Sequence, residues 1–131
     1  MTFETRTFYK ICGKEFPDLK IAKEFLEEEI VLAQSAMNIE RNYLASKFDL
    51  YKKYKDNKDY PRPGYIVNIN NTQIIVTNRN KSACRQLIGE VLLKEYKSEI
   101  ANYKQKKDYY YKIVSELRDL KKFQSNKVNN E

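Results

Sequence analysis

A chain of 131 residues suits one domain, and its 41% hydrophobic and 13% aromatic content is enough for a core under a surface made strongly polar by 33% charged residues. It has no histidine, two cysteines and three glycines, which excludes Ser-His and Cys-His nucleophiles, structural zinc sites, phosphate-binding P-loops and dinucleotide fingerprints. The net charge of +7 is uneven: residues 1–49 hold seven Lys/Arg against nine Asp/Glu, and residues 50–131 hold eighteen against nine. Such asymmetry favours a polyanionic partner.

In chain order, the first element is a hairpin over residues 5–16. TRTFYKI favours strand, Cys12-Gly13 supplies the turn, and Lys14 to Phe16 returns. Pro17 ends it, and Asp18 is placed to cap a helix over residues 18–55. On that helix Ala22, Leu26, Ile30, Ala33, Met37, Leu44, Phe48 and Tyr51 fall on one side. Such a helix spans about 57 Å and needs something to pack along, or else a break near Gln34 to Met37. KDNKDYPRPGY stops it with two prolines and a glycine. A second hairpin is expected over residues 65–78, because Asn70-Asn71 sits between two β-branched runs and Asn tolerates the positive φ of a two-residue turn.

A second helix over residues 80–123 carries Cys84, Ile88, Leu92, Tyr96, Ile100, Tyr103, Tyr110, Ile113, Leu117 and Leu120 on one stripe. Tyr96, Tyr103, Tyr110 and Leu117 are seven apart, a spacing that favours left-handed packing against another helix, from the same chain or from a second copy. Residues 126–131 read as a frayed tail. The expected fold is therefore α+β and dominated by helix: two β-hairpins and two long helices in ββαββα order, paired or coiled-coil-like, forming one domain over residues 1–125. The two halves read as a degenerate ββα repeat.

Two surfaces are candidates for binding. On the second helix Lys104, Lys107, Tyr111, Arg118 and Lys122 gather on one flank at about 100° per residue, with Tyr110 turned to the core. A tyrosine among basic residues can stack on a base, although the same charges also serve to keep a helical seam soluble. The second surface is the loop between the first helix and second hairpin, where Lys52, Lys53, Lys55, Lys58 and Arg62 interleave with Tyr54, Tyr60 and Tyr65. The hairpin tip, Asn70, Asn71 and Thr72, projects beside it. Acidic candidates for a metal-dependent nuclease, Glu27 to Glu29 or Asp56 and Asp59, read as surface charge, since Glu27, Glu28 and Glu29 point three ways around a helix.

FYKICGKEFPDLKIAKEFLEEE, with Phe8 or Tyr9, Gly13-Lys14, Phe16, Ala22, Phe25 and Glu27, resembles a hairpin-helix pattern of small phage-encoded accessory proteins. The resemblance covers about a sixth of the chain, implies a phage or mobile-element protein and transfers no functional residue. The functional expectation is a non-enzymatic binding protein without cofactor or metal. It acts on a nucleic acid, or inhibits a nucleic-acid-binding host machine or nucleoprotein complex in the manner of anti-CRISPR proteins. Alternatives are a homo-oligomeric sponge for a small anionic nucleotide, with Tyr65, Tyr111 or Arg85 contributing, and a structural coiled coil. The chain is expected to form a homodimer in the host cytoplasm without membrane contact, since nothing in it approaches the ~18 uncharged apolar residues of a membrane span and its start has no signal-like run. Cys12 and Cys84 are expected to be free thiols.

Overall fold

The computed structural model describes residues 2–3 and 9–129, with side chains at residues 9–126. Thr5 to Phe8, where the first hairpin was expected to begin, and residues 130–131 of the expected tail lie outside the described residues. The elements are β1 (Thr2–Phe3), β2 (Tyr9–Ile11), β3 (Lys14–Phe16), α1 (Leu19–Asp56), β4 (Ile66–Ile69), β5 (Thr72–Ile75) and α2 (Lys81–Asn129). The fold is thus α+β, with two antiparallel hairpins each followed by a long helix, and a short strand β1 added to the first hairpin. Helices of 38 and 49 residues set against strands of two to four make helix dominant. No break interrupts α1 near Gln34 to Met37, for nothing there removes a backbone donor or forces a positive φ. No described helix is long and apolar enough to cross a membrane.

The chain divides into two compact units, each taking part of both helices. One combines residues from 1–39 and 104–131, and the other is the continuous stretch Glu40–Tyr103.

In the first unit β1, β2 and β3 form an antiparallel sheet in that order. Cys12 (φ 53°) and Gly13 (φ 77°) make the two-residue turn and set Ile11 opposite Lys14 and Tyr9 opposite Phe16. Positive φ at both turn positions gives a twist that matches the strands, and Gly13 adopts it without steric cost. Asp18 caps α1 as the sequence indicates: its Oδ1 accepts from the Lys20 N–H at 2.6 Å and its carbonyl from the Ala22 N–H at 3.1 Å. The helix then buries Ala22, Leu26 and Ala33 against Ile11, Phe16, Ile113 and Leu120. Leu26, Ile11, Ile113 and Leu120 are fully enclosed, and each such side chain contributes about 1.5–3 kcal/mol by leaving water. Across the same contact, the Tyr109 hydroxyl donates to Glu29 Oε2 at 2.9 Å. Partial burial, followed by this hydrogen bond, raises the Tyr109 pKa.

In the second unit Asn70 (φ 52°) and Asn71 (φ 65°) form the expected turn and pair Ile69 with Thr72, Asn68 with Gln73, Val67 with Ile74 and Ile66 with Ile75. Alternation turns Val67 and Ile69 inward, onto Val76, Cys84 and the partly buried Ile74, Ile88 and Val91. Asn80 fixes the hairpin to the start of α2. Its Oδ1 accepts from the Thr77 N–H (2.7 Å), its Nδ2 donates to the Ile75 carbonyl (3.0 Å), and its own carbonyl accepts from the Cys84 N–H (2.9 Å). Along the helices Phe48, Tyr51 and Tyr54 of α1 form a run of rings with Tyr96 of α2, at centroid separations of 5.7 to 6.3 Å. Lys47 pairs with Glu95 at 3.2 Å.

Both cysteines are free, Cys12 half-buried and Cys84 buried. Burial raises the Cys12 pKa, and Glu116 adds to it. The raised value favours the folded state below the unfolded thiol pKa of ~8.5, and that contribution fades as pH rises through the folded value. Iodoacetamide should therefore alkylate Cys12 with a pH midpoint above that of an unhindered thiol, while Cys84 should react only on unfolding; mass spectrometry after pulsed labelling distinguishes them.

Helical Gly89 also has a specific function. A Cβ there would run into the Tyr54 hydroxyl, with the ring carbon Cζ at 2.8 Å. Gly→Ala inside a helix ordinarily stabilises by about 0.5–1 kcal/mol. Here Gly89→Ala should instead destabilise by about 1–3 kcal/mol, read as a lower denaturation midpoint, because Tyr54 is held and cannot move aside cheaply.

Candidate nucleic-acid interface

The loop of the second unit is built around Arg85. Its guanidinium donates to the carbonyls of Asn57 (2.9 Å), Tyr54 (3.1 Å) and Tyr60, and it lies 4.4 Å from the centre of the Tyr54 ring. The Tyr54 hydroxyl donates back to the Arg85 carbonyl at 2.8 Å. One side chain thus satisfies carbonyls released where α1 ends and pins the chain that follows, a use suited to the planar five-donor fork of arginine. Downstream, the Tyr60-Pro61 peptide bond is cis, Pro61 is fully buried, and the Tyr60 and Tyr65 rings lie 6.3 Å apart. Gly64 (φ 95°) donates to the Val76 carbonyl and Val76 to that of Tyr65, both at 2.8 Å, so the loop joins the base of the hairpin.

Around this scaffold Lys52, Lys53, Lys55, Lys58 and Arg62 are exposed. Lys53 and Lys55 occupy the last turn of α1, where they oppose the negative end of the helix dipole, and Lys55 Nζ sits 5.2 Å from the Tyr51 ring centre. Tyr65 is 47% exposed, whereas Tyr60 and Tyr54 are half-buried. The hairpin tip residues Asn70, Asn71 and Thr72 are all exposed. Four of the five basic residues and Tyr65 thus lie on one continuous stretch with the loop, from Lys53 to Tyr65, and Tyr60 serves mainly as packing.

Two further basic residues of this unit escape a reading based on the loop alone: Arg79, exposed in the turn before α2, and Lys81, half-buried at its first residue. The signal was in the sequence as an absence. Between Asp59 and Glu90 there is no Asp or Glu, while Arg62, Arg79, Lys81 and Arg85 fall within that stretch. The whole second unit holds twelve Lys/Arg against seven Asp/Glu, +5 of the net +7; the first unit's residues hold thirteen against eleven.

The outward face of the hairpin differs in chemistry. Ile66 and Ile75 are cross-strand partners, 66% and 64% exposed, beside Tyr65. Asn68 and Gln73, the next pair pointing the same way, place amides nearer the tip.

The other candidate surface belongs to the first unit. Lys104, Lys107, Tyr111, Arg118 and Lys122 are all exposed along α2, Tyr111 at 57%. Tyr110 turns inward onto the apolar cluster and meets Tyr111 edge-on at 5.3 Å. Arg118 donates to Ser115 Oγ at 3.2 Å and, with Lys121 and Lys122, borders a shallow groove floored by Val114 and Leu117. Of the nearby acids, Glu116 is half-buried and acts on Cys12, while Asp108 and Asp119 remain exposed among the lysines. As for the acidic candidates on α1, Glu29 accepts from Tyr109, and Glu27 lies 4.0 Å from Lys23.

No protein-family model, curated protein or solved structure matches this chain. The functional reading therefore rests on its own residues.

The engagement of Arg85 with three carbonyls makes it a structural residue and removes it from the side chains free to receive an anion. Arg85→Lys keeps the charge but not the fork, so it should lower stability by about 1–3 kcal/mol in chemical denaturation while leaving the salt dependence of any anion binding unchanged.

Proposed function

We propose that the protein is a non-enzymatic binding protein that holds nucleic acid on the basic surface of its second unit. The observation that carries this reading is the acid-free stretch from Tyr60 to Gly89, which follows the exposed Lys52, Lys53, Lys55 and Lys58 with only Asp56 and Asp59 among them. In this reading the lysines, Arg62, Arg79 and Lys81 neutralise phosphates and release counterions, which supplies affinity without sequence preference. The exposed ring of Tyr65 stacks on an unpaired base, and the amides at the hairpin tip contact base edges or sugars. No cofactor enters. The stripe Lys104, Lys107, Tyr111, Arg118 and Lys122 is a secondary surface, since residues 104–122 hold seven Lys/Arg against three Asp/Glu where residues 52–89 hold eight against two.

A second reading is favoured by one observation, the exposed pair Ile66 and Ile75 beside Tyr65. An apolar centre with a basic rim suits a protein surface better than a duplex. On this reading the chain, phage or mobile-element encoded, sits on a nucleic-acid-binding machine in the host cytoplasm and inhibits it as anti-CRISPR proteins do.

Fluorescence anisotropy with single- and double-stranded oligonucleotides at several salt concentrations tests both. Affinity should fall with a log-log slope of about -0.7 to -0.9 per phosphate contacted. Replacing Lys53, Lys58, Arg62 and Arg79 together by Gln should flatten that slope by roughly two to four units; the same change at Lys104, Lys107, Arg118 and Lys122 should have a smaller effect. Tyr65→Ala should cost about 1–3 kcal/mol on single strands if one base is stacked. A slope unchanged by the first variant would sink the interface on the second unit. No oligonucleotide binding, with Ile66→Glu abolishing capture of a host protein from nuclease-treated lysate, would transfer the case to the second reading.

A further inference from the structure

Within the second unit a cavity of about 330 Å³ opens beside the basic loop. Tyr54 and Tyr60 wall it from around the end of α1, and Ile88 and Leu92, four residues apart, wall it from α2. Leu50 also lines it and is 48% exposed, an apolar side chain left open to water at its edge. Cavities that hold small groups measure about 300–1,000 Å³ and combine apolar and aromatic walls with a few placed polar groups. Apart from the tyrosine hydroxyls, the polar members here are Lys53 and Asn57. The Asn57 N–H still bonds the Lys53 carbonyl at 3.0 Å, so Leu50, Lys53, Tyr54 and Asn57 keep helical spacing on one face.

Charge separates this cavity from its neighbours. One that shares Tyr60, Ile88 and Leu92 is bordered by Glu95, and one along Tyr51 is bordered by Glu90; either carboxylate repels an anion. The cavity at Lys53 has no carboxylate among its lining residues, and among the described residues Lys53 is paired with none. Its contents select a flat apolar ring for the tyrosines and aliphatic walls, an anionic group attached to that ring for Lys53, and a polar ring edge for the donor and acceptor of the Asn57 amide. A nucleobase with its phosphate has all three. The Tyr60 ring also lies 6.3 Å from that of Tyr65, at 51°, and Tyr65 is 47% exposed. Two bases, one on Tyr65 and one in the cavity, are then a single nucleotide step apart. Unpaired bases can be splayed in this way, whereas bases in a duplex stay in the stack.

We propose that this cavity seats one unpaired base of a single strand, with its phosphate on Lys53 and the adjacent base stacked on Tyr65. The proposal rests on the nucleic-acid reading and narrows it: the strand is single, and the base, not only the backbone, is held.

Fluorescence anisotropy with the full chain carrying Tyr65→Ala, which removes the other stacking ring, compares an oligothymidine with an abasic strand of equal length and charge. The thymidine strand should bind about tenfold or more tighter, the effect of one stacked base. The chain has no tryptophan, so Leu50→Trp places a single indole at the edge of the cavity, at a position exposed enough to accept it. Its emission should be quenched by the thymidine strand and unchanged by the abasic one. Equal affinity for the two strands, or an unquenched indole on protein saturated with thymidine strand, would overturn the seat and leave phosphate binding intact. Binding of neither strand would remove the nucleic-acid reading itself, and the seat with it.

Discussion

The loop and hairpin of the second unit depend on one contact, the closure of Tyr54 over Gly89. The hydroxyl end of the ring comes up against the helix because Gly89 has no side chain, and it reaches the Arg85 carbonyl one turn away. That placement brings the Arg85 guanidinium over the ring and into reach of the carbonyls where α1 ends. Position 89 therefore sets the position of Tyr54, Tyr54 that of Arg85, and Arg85 the course of the chain through Asn57 and Tyr60. The pinned loop then continues through the buried Pro61 into a two-stranded hairpin, which alone would be marginal in water.

This arrangement reconciles a strongly basic surface with stability. Arg85, half-buried, is satisfied by three carbonyls and an aromatic face, whereas Lys52, Lys53, Lys58 and Arg62 keep their charges in water. The acid-free stretch also spares the hairpin from internal ion pairing. Its base is held instead by neutral amide and hydroxyl contacts, those of Asn80 with Thr77 and Ile75. Exposed basic charge and the contacts that hold the fold are thus carried by different side chains, and one can change without the other.

What was legible in the sequence was local. The Asp18 cap, the Cys12-Gly13 and Asn70-Asn71 turns, the order of elements and the inward position of Tyr110 all follow from chemistry within a few residues. The end of α2 was placed near Phe123 because apolar residues thin out there, yet the helix continues to Asn129: solvated Gln, Ser, Asn and Lys do not stop a helix as Pro or Gly does. Less legible were relations over long separations. Nothing near Arg85 announces that it caps a helix ending some thirty residues earlier, and a helical glycine at position 89 reads as a weakness until Tyr54 is seen against it. Strand β1 drew no signal because two residues are too few to show alternation.

The division of the chain into one continuous and one discontinuous unit has a consequence for how the molecule comes together. Glu40–Tyr103 holds its whole cluster, Val67, Ile69, Val76 and Cys84, within eighteen residues, and its loop-pinning contacts span about thirty, so the closure entropy is small. The other unit must bring Ile11 and Leu26 to Ile113 and Leu120 across separations of roughly 85 to 110 residues. The middle unit can therefore close its core without the distal half of α2, whereas Phe16 and Leu26 are covered only when Ile113 and Leu120 are in place. Contacts in the middle of the sequence thus close over short loops, and those joining its two flanks close only over long ones.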